Sequence, residues 1–304
     1  DNLVDYPLYD FSIPEVHVDY VVVVDKIGDP AGIVSGTTRI TRDPVGLMIA
    51  SYATKVIQHS GLLKDGFSFQ TGAGGASLAV AKYLKELMLK DNIKGSFGMG
   101  GITGYLVDML EEGCFESLVD VQCFDLKAVE SLRNNPRHRE VTAAHYASPT
   151  AKSALVDNLD VVILGATEID TNFNVNVHTD SNGYIMGGSG GHSDTAAGAK
   201  LTMIVAPLTR ARLSIVVDRV TTITTPGSTV DVLVTQRGIA VNPNRGELRE
   251  RLVSAGLPVL DIQDLKKMAE DITGVPKKVE LGDRVVANVI YRDGTLIDTI
   301  KNVK

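Results

Sequence analysis

The hydrophobic and polar positions of the first half of the chain alternate between two patterns. Short apolar segments are followed by longer amphipathic stretches, in which apolar residues recur three and four positions apart. This pattern predicts strands over residues 66–71, 94–99 and 118–124, and helices over residues 44–60, 76–90, 102–112 and 126–133. Strands that alternate with helices of this length are typical of βαβ units and a largely parallel sheet.

The second half of the chain has a less regular pattern. Leu159–Leu164 is a fully apolar strand, residues 168–177 alternate, and Thr179–Gly183 is a polar turn of the hairpin kind. Further strands are predicted over 201–206, 212–217, 219–223 and 230–235, helices over 245–255 and 261–273, and a last pair of strands over 284–291 and 296–300. Short successive strands indicate an antiparallel or mixed part of the sheet, so we predict an α/β fold with a mixed sheet and flanking helices.

Residues 1–43 differ from the rest in being rich in prolines and polar residues near the start. We expect 1–43 to be a connecting segment with one short buried strand at the valine-rich Tyr20–Asp25. Residues 44–304 contain no long low-complexity linker, and we expect them to form one large α/β domain.

Composition narrows the class of protein. The sequence is 44% hydrophobic and 22% charged, which argues against wholesale disorder, and its longest apolar runs are too short to cross a bilayer. The net charge is −7 and no lysine or arginine cluster stands out, so nucleic acid is not an expected partner. Two cysteines are too few for a disulfide framework, and with no evident secretory signal we expect a cytoplasmic protein with no membrane partner.

The 29 glycines include three clusters that invite a functional interpretation. The clusters are Gly72–Gly75, Gly98–Gly104 and Gly187–Gly191, and the first two are predicted to join a strand end to a helix start. Free N–H groups at such a junction favour an anion or an oxyanion. Each cluster alone is equally well explained as a tight turn, but three in one domain favour a binding crevice at the carboxyl ends of the strands.

Four other chemistries have weaker support in the sequence. A dinucleotide fingerprint is incomplete, because Ser77 stands where the third glycine is needed, and no Gly-x-Ser-x-Gly nucleophile elbow occurs. Cys114 follows a predicted helix end, where the dipole disfavours a reactive thiolate. The pairs His178-x-Asp180 and His192-x-Asp194 offer metal-ligand types, but both flank turns, so we predict no metal site.

Glu168 is the acidic residue with the strongest claim to a catalytic role. It follows the apolar strand Leu159–Leu164 and precedes the third glycine cluster by about twenty residues. A carboxylate at this place can act as a nucleophile or a general base. On pattern alone, an ordinary strand-end acid paired with a lysine is the simpler interpretation.

A set of motifs in order along the chain resembles a known family. Glu168-Ile-Asp170, Asn174-Val-Asn176, Gly187 to Asp194 and Ala197-Gly-Ala199 are similar to the second-domain motif of acyl-CoA:carboxylate CoA-transferases. Phe173 and Asn174 stand where that wider family has glycine and glutamine, and here the chain resembles the citrate lyase α-subunit family instead. Further segments similar to that family are Gln70–Val80, Gly100–Thr103, Val119–Asp125, Ile204–Leu208 and Thr225–Ser228.

The resemblance implies a fold and an arrangement of domains. The fold is a Rossmann-like CoA-transferase (NagB/RpiA-like) domain, and residues 44–304 correspond to its C-terminal example. The family has a further N-terminal α/β domain of similar fold, which we expect to be absent from this chain. The active site of the family lies between the two domains.

The resemblance also implies roles for individual residues. Glu168 matches the catalytic glutamate. We expect oxyanion or substrate-binding roles for Gly74, Gly75, Gly190, Gly191, Asn174 and Asn176, and CoA or pantetheine contacts for Gly72, Gly100, Gly101 and Asp194.

The implied activity is the exchange of acetyl for citrate on a thiol, which gives a citryl thioester and acetate. The thiol belongs to a CoA-derived, phosphopantetheine-type prosthetic group on the acyl carrier (γ) subunit, or to acetyl-CoA; the β subunit then cleaves the citryl thioester to oxaloacetate. We expect an oligomer with the β and γ subunits. The alternatives are a CoA-transferase or hydrolase that uses free CoA, and a non-catalytic subunit that only docks the carrier.

Overall fold

The computed structural model describes residues 15–29 and 38–304. In chain order the helices are α1 (Pro44–His59), α2 (Gly75–Lys90), α3 (Gly104–Glu111), α4 (Leu126–Asn134), α5 (Ala143–Ala147), α6 (His192–Gly198), α7 (Gly246–Ser254) and α8 (Ile262–Thr273). The strands are β1 (Ser68–Thr71), β2 (Gly95–Ile102), β3 (Phe115–Cys123), β4 (His138–Glu140), β5 (Val161–Leu164), β6 (Glu168–Asp170), β7 (Val175–Asn176), β8 (Leu201–Val205), β9 (Thr209–Arg210), β10 (Leu213–Ser214), β11 (Val216–Val217), β12 (Val232–Thr235), β13 (Gly238–Val241), β14 (Val259–Leu260), β15 (Leu281–Ile290) and β16 (Leu296–Val303).

A nine-stranded sheet organises the fold. Its strand order is β14-β13-β12-β8-β5-β1-β2-β3-β4. Every neighbouring pair is parallel except β12 and β13, which are antiparallel. The predicted α/β fold with a mixed sheet is therefore confirmed.

Apolar side chains fill both faces of this sheet. One cluster of buried residues joins the sheet to α1, α2, α3 and α7. A second cluster on the other face joins it to α5, α6, α8 and the small sheet of strands β11-β6-β7. Strands covered on both faces read as continuous apolar runs, and β5 and β8 are buried at every position. Within the described residues, no helix combines the length and apolar character that a bilayer span needs.

The helix–strand alternation predicted for residues 44–134 is observed, with one exception. Gly100 and Gly101 were predicted as a turn, but they lie inside β2, which continues to Ile102. The pairing of β2 with β3 is interrupted by a bulge between these two glycines, and Gly100 has a φ of +101°. A bulge tolerates the glycines that would otherwise end a strand.

Other differences are confined to short or unpartnered segments. The predicted strand at residues 219–223 is not formed, whereas β13, α5 and α6 were not predicted. The buried strand expected at Tyr20–Asp25 is wrong as well, because this segment forms no strand and Val21 and Val23 are 83% and 93% exposed. No described element packs on it, and burial of valines needs such a partner. Residues 1–14 and 30–37 lie outside the described part.

Asp125 joins two helix starts in the first half of the sheet. Its Oδ2 accepts a hydrogen bond from the Gly104 N–H of α3 (2.7 Å), and its Oδ1 accepts one from the Ala128 N–H of α4 (2.9 Å). The side chain is buried, so neither N–H has water as a ready substitute. One carboxylate therefore satisfies the first turns of two helices.

We expect Asp125→Ala to lower the free energy of unfolding by about 2 kcal/mol, since each lost cap costs on the order of 1 kcal/mol. Urea denaturation followed by circular dichroism measures this change. Asp43→Ala is the matched control, because exposed Asp43 makes one longer bond (3.3 Å) to Gly46 of α1, and its loss should cost clearly less. Equal losses in the two variants would contradict the double cap.

Candidate active site at the carboxyl edge of the sheet

The order of the strands places a crevice between β1 and β5. From β1 the chain runs outward through β2, β3 and β4, and it then returns to the other side of β1 as β5. The two strands are in register, with Thr71 opposite Ile163, so Gly72 and Gly165 follow the strand ends at one place. In open α/β sheets, ligands bind outside the carboxyl ends of the strands where the order reverses in this way.

Glu168 begins β6 just beyond this point and is only 4% exposed. Its Oε2 accepts hydrogen bonds from the Thr221 N–H (2.8 Å) and from Nδ2 of Asn176 (3.0 Å). Its Oε1 accepts a bond from the Thr221 hydroxyl (3.2 Å). Among the described residues Glu168 makes no ion pair, so polar donors, and not a lysine, offset the cost of burying it.

Asn176 holds the Glu168 carboxyl group in a fixed position. It lies on β7 opposite Glu168 and is completely buried. Its Oδ1 accepts the N–H groups of His178 and Thr179 (both 3.1 Å), and its Nδ2 also reaches the Thr179 carbonyl oxygen (3.0 Å). Every polar atom of this side chain is thus used within the chain.

Asn174, by contrast, is used in the turn between β6 and β7. Its Nδ2 donates to Asp170 Oδ2 (3.1 Å), and its Oδ1 accepts from the Gly227 N–H (2.9 Å). The buried Phe173 beside it has a φ of +64°, a conformation that these bonds help to hold. These contacts explain Asn174 as a turn residue, and its role in substrate binding stays a prediction.

His192, at the start of α6, connects this helix to the crevice. Its Nε2 lies 2.9 Å from the Gly165 carbonyl oxygen, which only accepts, so we assign the proton to Nε2. Nδ1 then accepts a bond from the Thr225 hydroxyl (2.7 Å). Burial lowers the pKa of His192 from 6.5 to about 4, so the ring is neutral at physiological pH.

Hydrogen bonds on both sides of the glycine loop (Gly187–Gly191) lead to the adjacent residues Thr224 and Thr225. Before the loop, the Met186 N–H donates to the His178 carbonyl oxygen (2.8 Å), and after it the ring of His192 binds Thr225. The His178 ring contacts Thr224 through Nδ1 (2.8 Å). The adjacent Thr224 and Thr225 therefore fix both sides of the loop.

The loop itself lies against a buried polar pair. A Cβ on Gly191 would come within 2.9 Å of the Tyr146 ring, and the Tyr146 hydroxyl is hydrogen-bonded to the Gln70 amide. Burial raises the pKa of Tyr146 to about 12, so it remains a neutral phenol. Gly190 has a φ of +54° and open space where its Cβ would be. The structure thus brings the loop to the end of β1.

The first glycine cluster lies at the same edge. Gly74 is the N-cap residue of α2 and Gly75 its first residue. A Cβ on Gly75 would meet backbone atoms of Arg39 and Thr41 at 3.1–3.2 Å, whereas Gly72 has no neighbour closer than 3.8 Å. The cluster therefore joins the end of β1 to the start of the 16-residue helix α2, as predicted from the sequence, and its role in anion or oxyanion binding stays a prediction.

Gly100 and Gly101 have a packing explanation. A Cβ on Gly100 would come within 2.8 Å of the Gln70 amide, and one on Gly101 within 1.9 Å of the Phe124 ring. Both glycines make room for neighbouring side chains inside the sheet. Their proposed contact with a pantetheine arm is not needed to explain them and stays a prediction.

Asp194 is engaged in a tether between α6 and the C-terminal hairpin of β15 and β16. Its Oδ1 accepts from Nε of Arg292 (3.1 Å), and Nη2 of Arg292 donates to the Ala147 carbonyl oxygen of α5 (2.9 Å). Arg292 lies in the turn between the two strands, so the hairpin tip holds α5 and α6 together. Cofactor contact by Asp194 remains a prediction.

Sequence reasoning missed several residues of this site. Thr221 is 53 positions from Glu168 and no local pattern connects them. Gln70 and Tyr146 are 76 positions apart, and Arg292 is 98 positions from Asp194. His192 was weighed in the sequence as a metal-ligand type, and the structure shows its hydrogen bonds to Gly165 and Thr225. Among the described residues, no group of three or more His, Cys, Asp or Glu side chains is arranged to hold a metal ion.

Comparison with known proteins identifies the family of the chain. The family model for the α subunit of citrate lyase matches residues 1–303. The chain belongs to the citrate lyase α-subunit family. The chain is 54% identical to the citrate lyase α chain of Klebsiella pneumoniae and 51% identical to that of Escherichia coli strain K12, each over all 304 residues. It spans 60% of the length of each of these family members.

A solved structure of the same family has the same fold. The α subunit of citrate lyase from Streptococcus mutans, determined in complex with citrate, superposes with a TM-score of 0.92 at 51% identity. The match covers 98% of this chain and 59% of that one. This chain therefore has the same fold as a family member whose structure contains citrate.

The neutral, buried His192 predicts a pH dependence of stability. Above pH 6.5 the ring is uncharged in the folded and unfolded states, whereas below it only the unfolded chain takes up a proton until about pH 4. The free energy of unfolding should therefore fall as the pH falls, with His192 contributing about 2–3 kcal/mol between pH 7 and pH 4.5. His192→Gln removes this contribution.

The measurement is urea denaturation of the wild type and of His192→Gln across that pH range. The difference in unfolding free energy between the two proteins should shrink toward low pH. The exposed His59 supplies the control variant His59→Gln, for which the difference should stay constant. Parallel curves for wild type and His192→Gln would show that the folded chain protonates this ring.

Proposed function

We propose that this protein is the transferase component of citrate lyase and exchanges acetyl for citrate on a thiol. Acetyl thioester and citrate react to give citryl thioester and acetate, with no net oxidation and no water consumed. One observation carries the proposal. Glu168 is buried and hydrogen-bonded at the crevice on the carboxyl edge of the sheet. The solved structure of a family member from Streptococcus mutans contains citrate.

Two chemical routes lead to this exchange. In the covalent route, the Glu168 carboxylate attacks the acetyl thioester and expels the thiolate, which leaves a glutamyl–acetyl anhydride. The thiolate then attacks the glutamyl carbonyl of this anhydride and expels acetate, which gives a glutamyl thioester. A citrate carboxylate attacks the glutamyl thioester and expels the thiolate, which gives a second anhydride. The thiolate then attacks the citryl carbonyl of that anhydride, which gives the citryl thioester and frees the Glu168 carboxylate. In the ternary route, a citrate carboxylate attacks the acetyl thioester directly, and the thiolate then attacks the citryl carbonyl while Glu168 orients the reactants.

Both routes pass through tetrahedral oxyanions, and the crevice has backbone donors for them. The N–H groups of Gly74 and Gly75 at the start of α2, and those of Gly190 and Gly191, support the predicted oxyanion and substrate roles. Gly187, Gly188 and Gly190 have no heavy atom within 4 Å of where a Cβ would be, which leaves space for a pantetheine arm along this loop.

The partners follow from the same proposal. The thiol donor is the phosphopantetheine-type group of the acyl carrier (γ) subunit, and the β subunit cleaves the citryl product. We expect an oligomeric complex in the cytoplasm. Free CoA as the thiol donor is the alternative within enzymes, and the polar donors around Glu168 argue against a subunit that only docks the carrier.

We expect Glu168 to be the acid on which the transfer rate depends most. If it is the nucleophile, Glu168→Gln removes the attacking oxygen and abolishes transfer. If it orients citrate, glutamine keeps the shape and most of the hydrogen bonds, because only one of the two oxygens is replaced, so the loss should be about ten- to a hundredfold. The transfer rate of full-length protein with acetyl-carrier and citrate measures this.

Borohydride trapping separates the two routes. Incubation with acetyl thioester and then borohydride, followed by peptide mass spectrometry, should yield a reduced product at Glu168 only in the covalent route. Glu247→Gln is the control, because Glu247 lies on α7 away from the crevice. A transfer rate unchanged in both Glu168→Gln and Glu168→Ala would show that Glu168 has no catalytic role.

Gly190 tests the backbone donors of the glycine loop. Gly190→Val should reduce the transfer rate about a hundredfold, the scale of one lost oxyanion donor, because valine disfavours the positive φ that orients this segment. Gly113→Val is the matched control, since Gly113 also has a positive φ (+82°) and open space but precedes β3 at the amino edge of the sheet. Equal activity in the two variants would show that the loop serves only as a turn.

A further inference from the structure

His178 connects, through its backbone, the side chain that holds Glu168 with the glycine loop. Its backbone N–H donates to Oδ1 of Asn176 (3.1 Å), the same side chain whose Nδ2 donates to Glu168. Its carbonyl oxygen accepts from the Met186 N–H (2.8 Å), directly before the loop. His178 is thus connected through one residue to each of the two parts of the crevice.

The hydrogen bonds of Thr224 determine which nitrogen of this ring carries the proton. Oγ1 of Thr224 already accepts the Val177 N–H (2.9 Å) and lies 2.8 Å from Nδ1 of His178. If Nδ1 carried the proton, the Thr224 hydroxyl proton would have no acceptor among the described residues. We therefore assign the hydroxyl as the donor to Nδ1, and the neutral ring carries its proton on Nε2.

This Nε2–H group is available to a ligand. Nε2 has no hydrogen-bond partner among the described residues, and the half-buried ring leaves it accessible to solvent. Burial lowers the pKa of His178 below 6.5, which keeps the ring neutral. Neighbouring His192 uses both of its ring nitrogens within the chain and cannot play the same part.

We propose that His178 is a substrate-binding residue whose Nε2–H donates a hydrogen bond to a carboxylate oxygen of the tricarboxylate acceptor. The inference rests on the proposed transfer. It assigns a group of this chain that binds the carboxylate acceptor and does not bind the thioester. A neutral donor in a fixed orientation suits this task, because a hydrogen bond to a carboxylate is strong without requiring a buried cation. The Asn176 link joins the backbone of this residue to the side chain that holds Glu168.

The test compares three variants of the full-length protein. Glutamine reaches about as far as Nε2 and keeps a donor there, whereas asparagine reaches only as far as Nδ1. His178→Asn should raise KM for citrate about 10- to 100-fold, the scale of a hydrogen bond to a charged group, with KM for the acetyl thioester unchanged. His178→Gln should restore most of the citrate affinity, and His59→Gln should match the wild type.

The outcomes separate this inference from the proposed function. Wild-type protein that shows no transfer would refute the function itself. Wild-type transfer with an unchanged citrate KM in His178→Asn would refute the role of His178. Equal rises in both KM values, or a defect that glutamine does not rescue, would show a structural role for the ring and would also refute the inference.

A measurement on the wild type decides the matter even if the variants fold poorly. Diethyl pyrocarbonate modifies accessible neutral imidazoles, and peptide mass spectrometry gives the rate at each histidine. Saturating citrate should slow modification of His178 and leave the exposed His17 and His59 unaffected. An unchanged rate at His178 in the presence of citrate would overturn the proposal.

Discussion

The free-energy cost of burying the Glu168 carboxyl group away from water determines how the site is built. Glu168 is buried, and three hydrogen bonds from Asn176 and Thr221 replace its hydration. Asn176 can fill this role only because its own oxygen is held by the next turn of chain. The small sheet of β6, β7 and β11 is therefore a support for one acid as much as part of the core.

Two neutral histidines extend this support to the glycine loop. Thr224 and Thr225 are adjacent, and each hydroxyl contacts one imidazole, His178 on one side of the loop and His192 on the other. A hydroxyl both donates and accepts, so each ring can be held without a charge in a buried place. The loop then keeps its shape although most of its glycines have open space around them.

The sequence predicts the architecture better than it predicts the site. Helical and strand periodicities identify α1 to α4 and β5, because each element buries one face or two against the sheet. Periodicity fails at α5 and α6, which are too short to show a period, and at Gly100–Gly101, where a bulge keeps glycines inside a strand. The motifs locate Glu168 and Asn176.

The local sequence pattern does not reveal the long-range contacts that complete the site. Thr221 reaches Glu168, and Arg292 reaches Asp194 across 98 positions, only after the sheet has brought distant segments together. For Glu168 the sequence left two interpretations, pairing with a lysine or a catalytic role, and only these long-range contacts distinguish them. Here the structure shows polar donors where the simpler interpretation needed a cation.

The strand order has a consequence for the integrity of the molecule. The chain passes from the β1–β4 half of the sheet to the half that begins with β5 only once, through an exposed stretch around Pro149–Lys152. A cut there would leave two pieces, which meet along the β1–β5 ladder, at the bond from the Ser68 N–H to Asp160, and where Tyr146 meets Gly191. Since the crevice lies along this boundary between the two pieces, they could reassemble only by forming the crevice again.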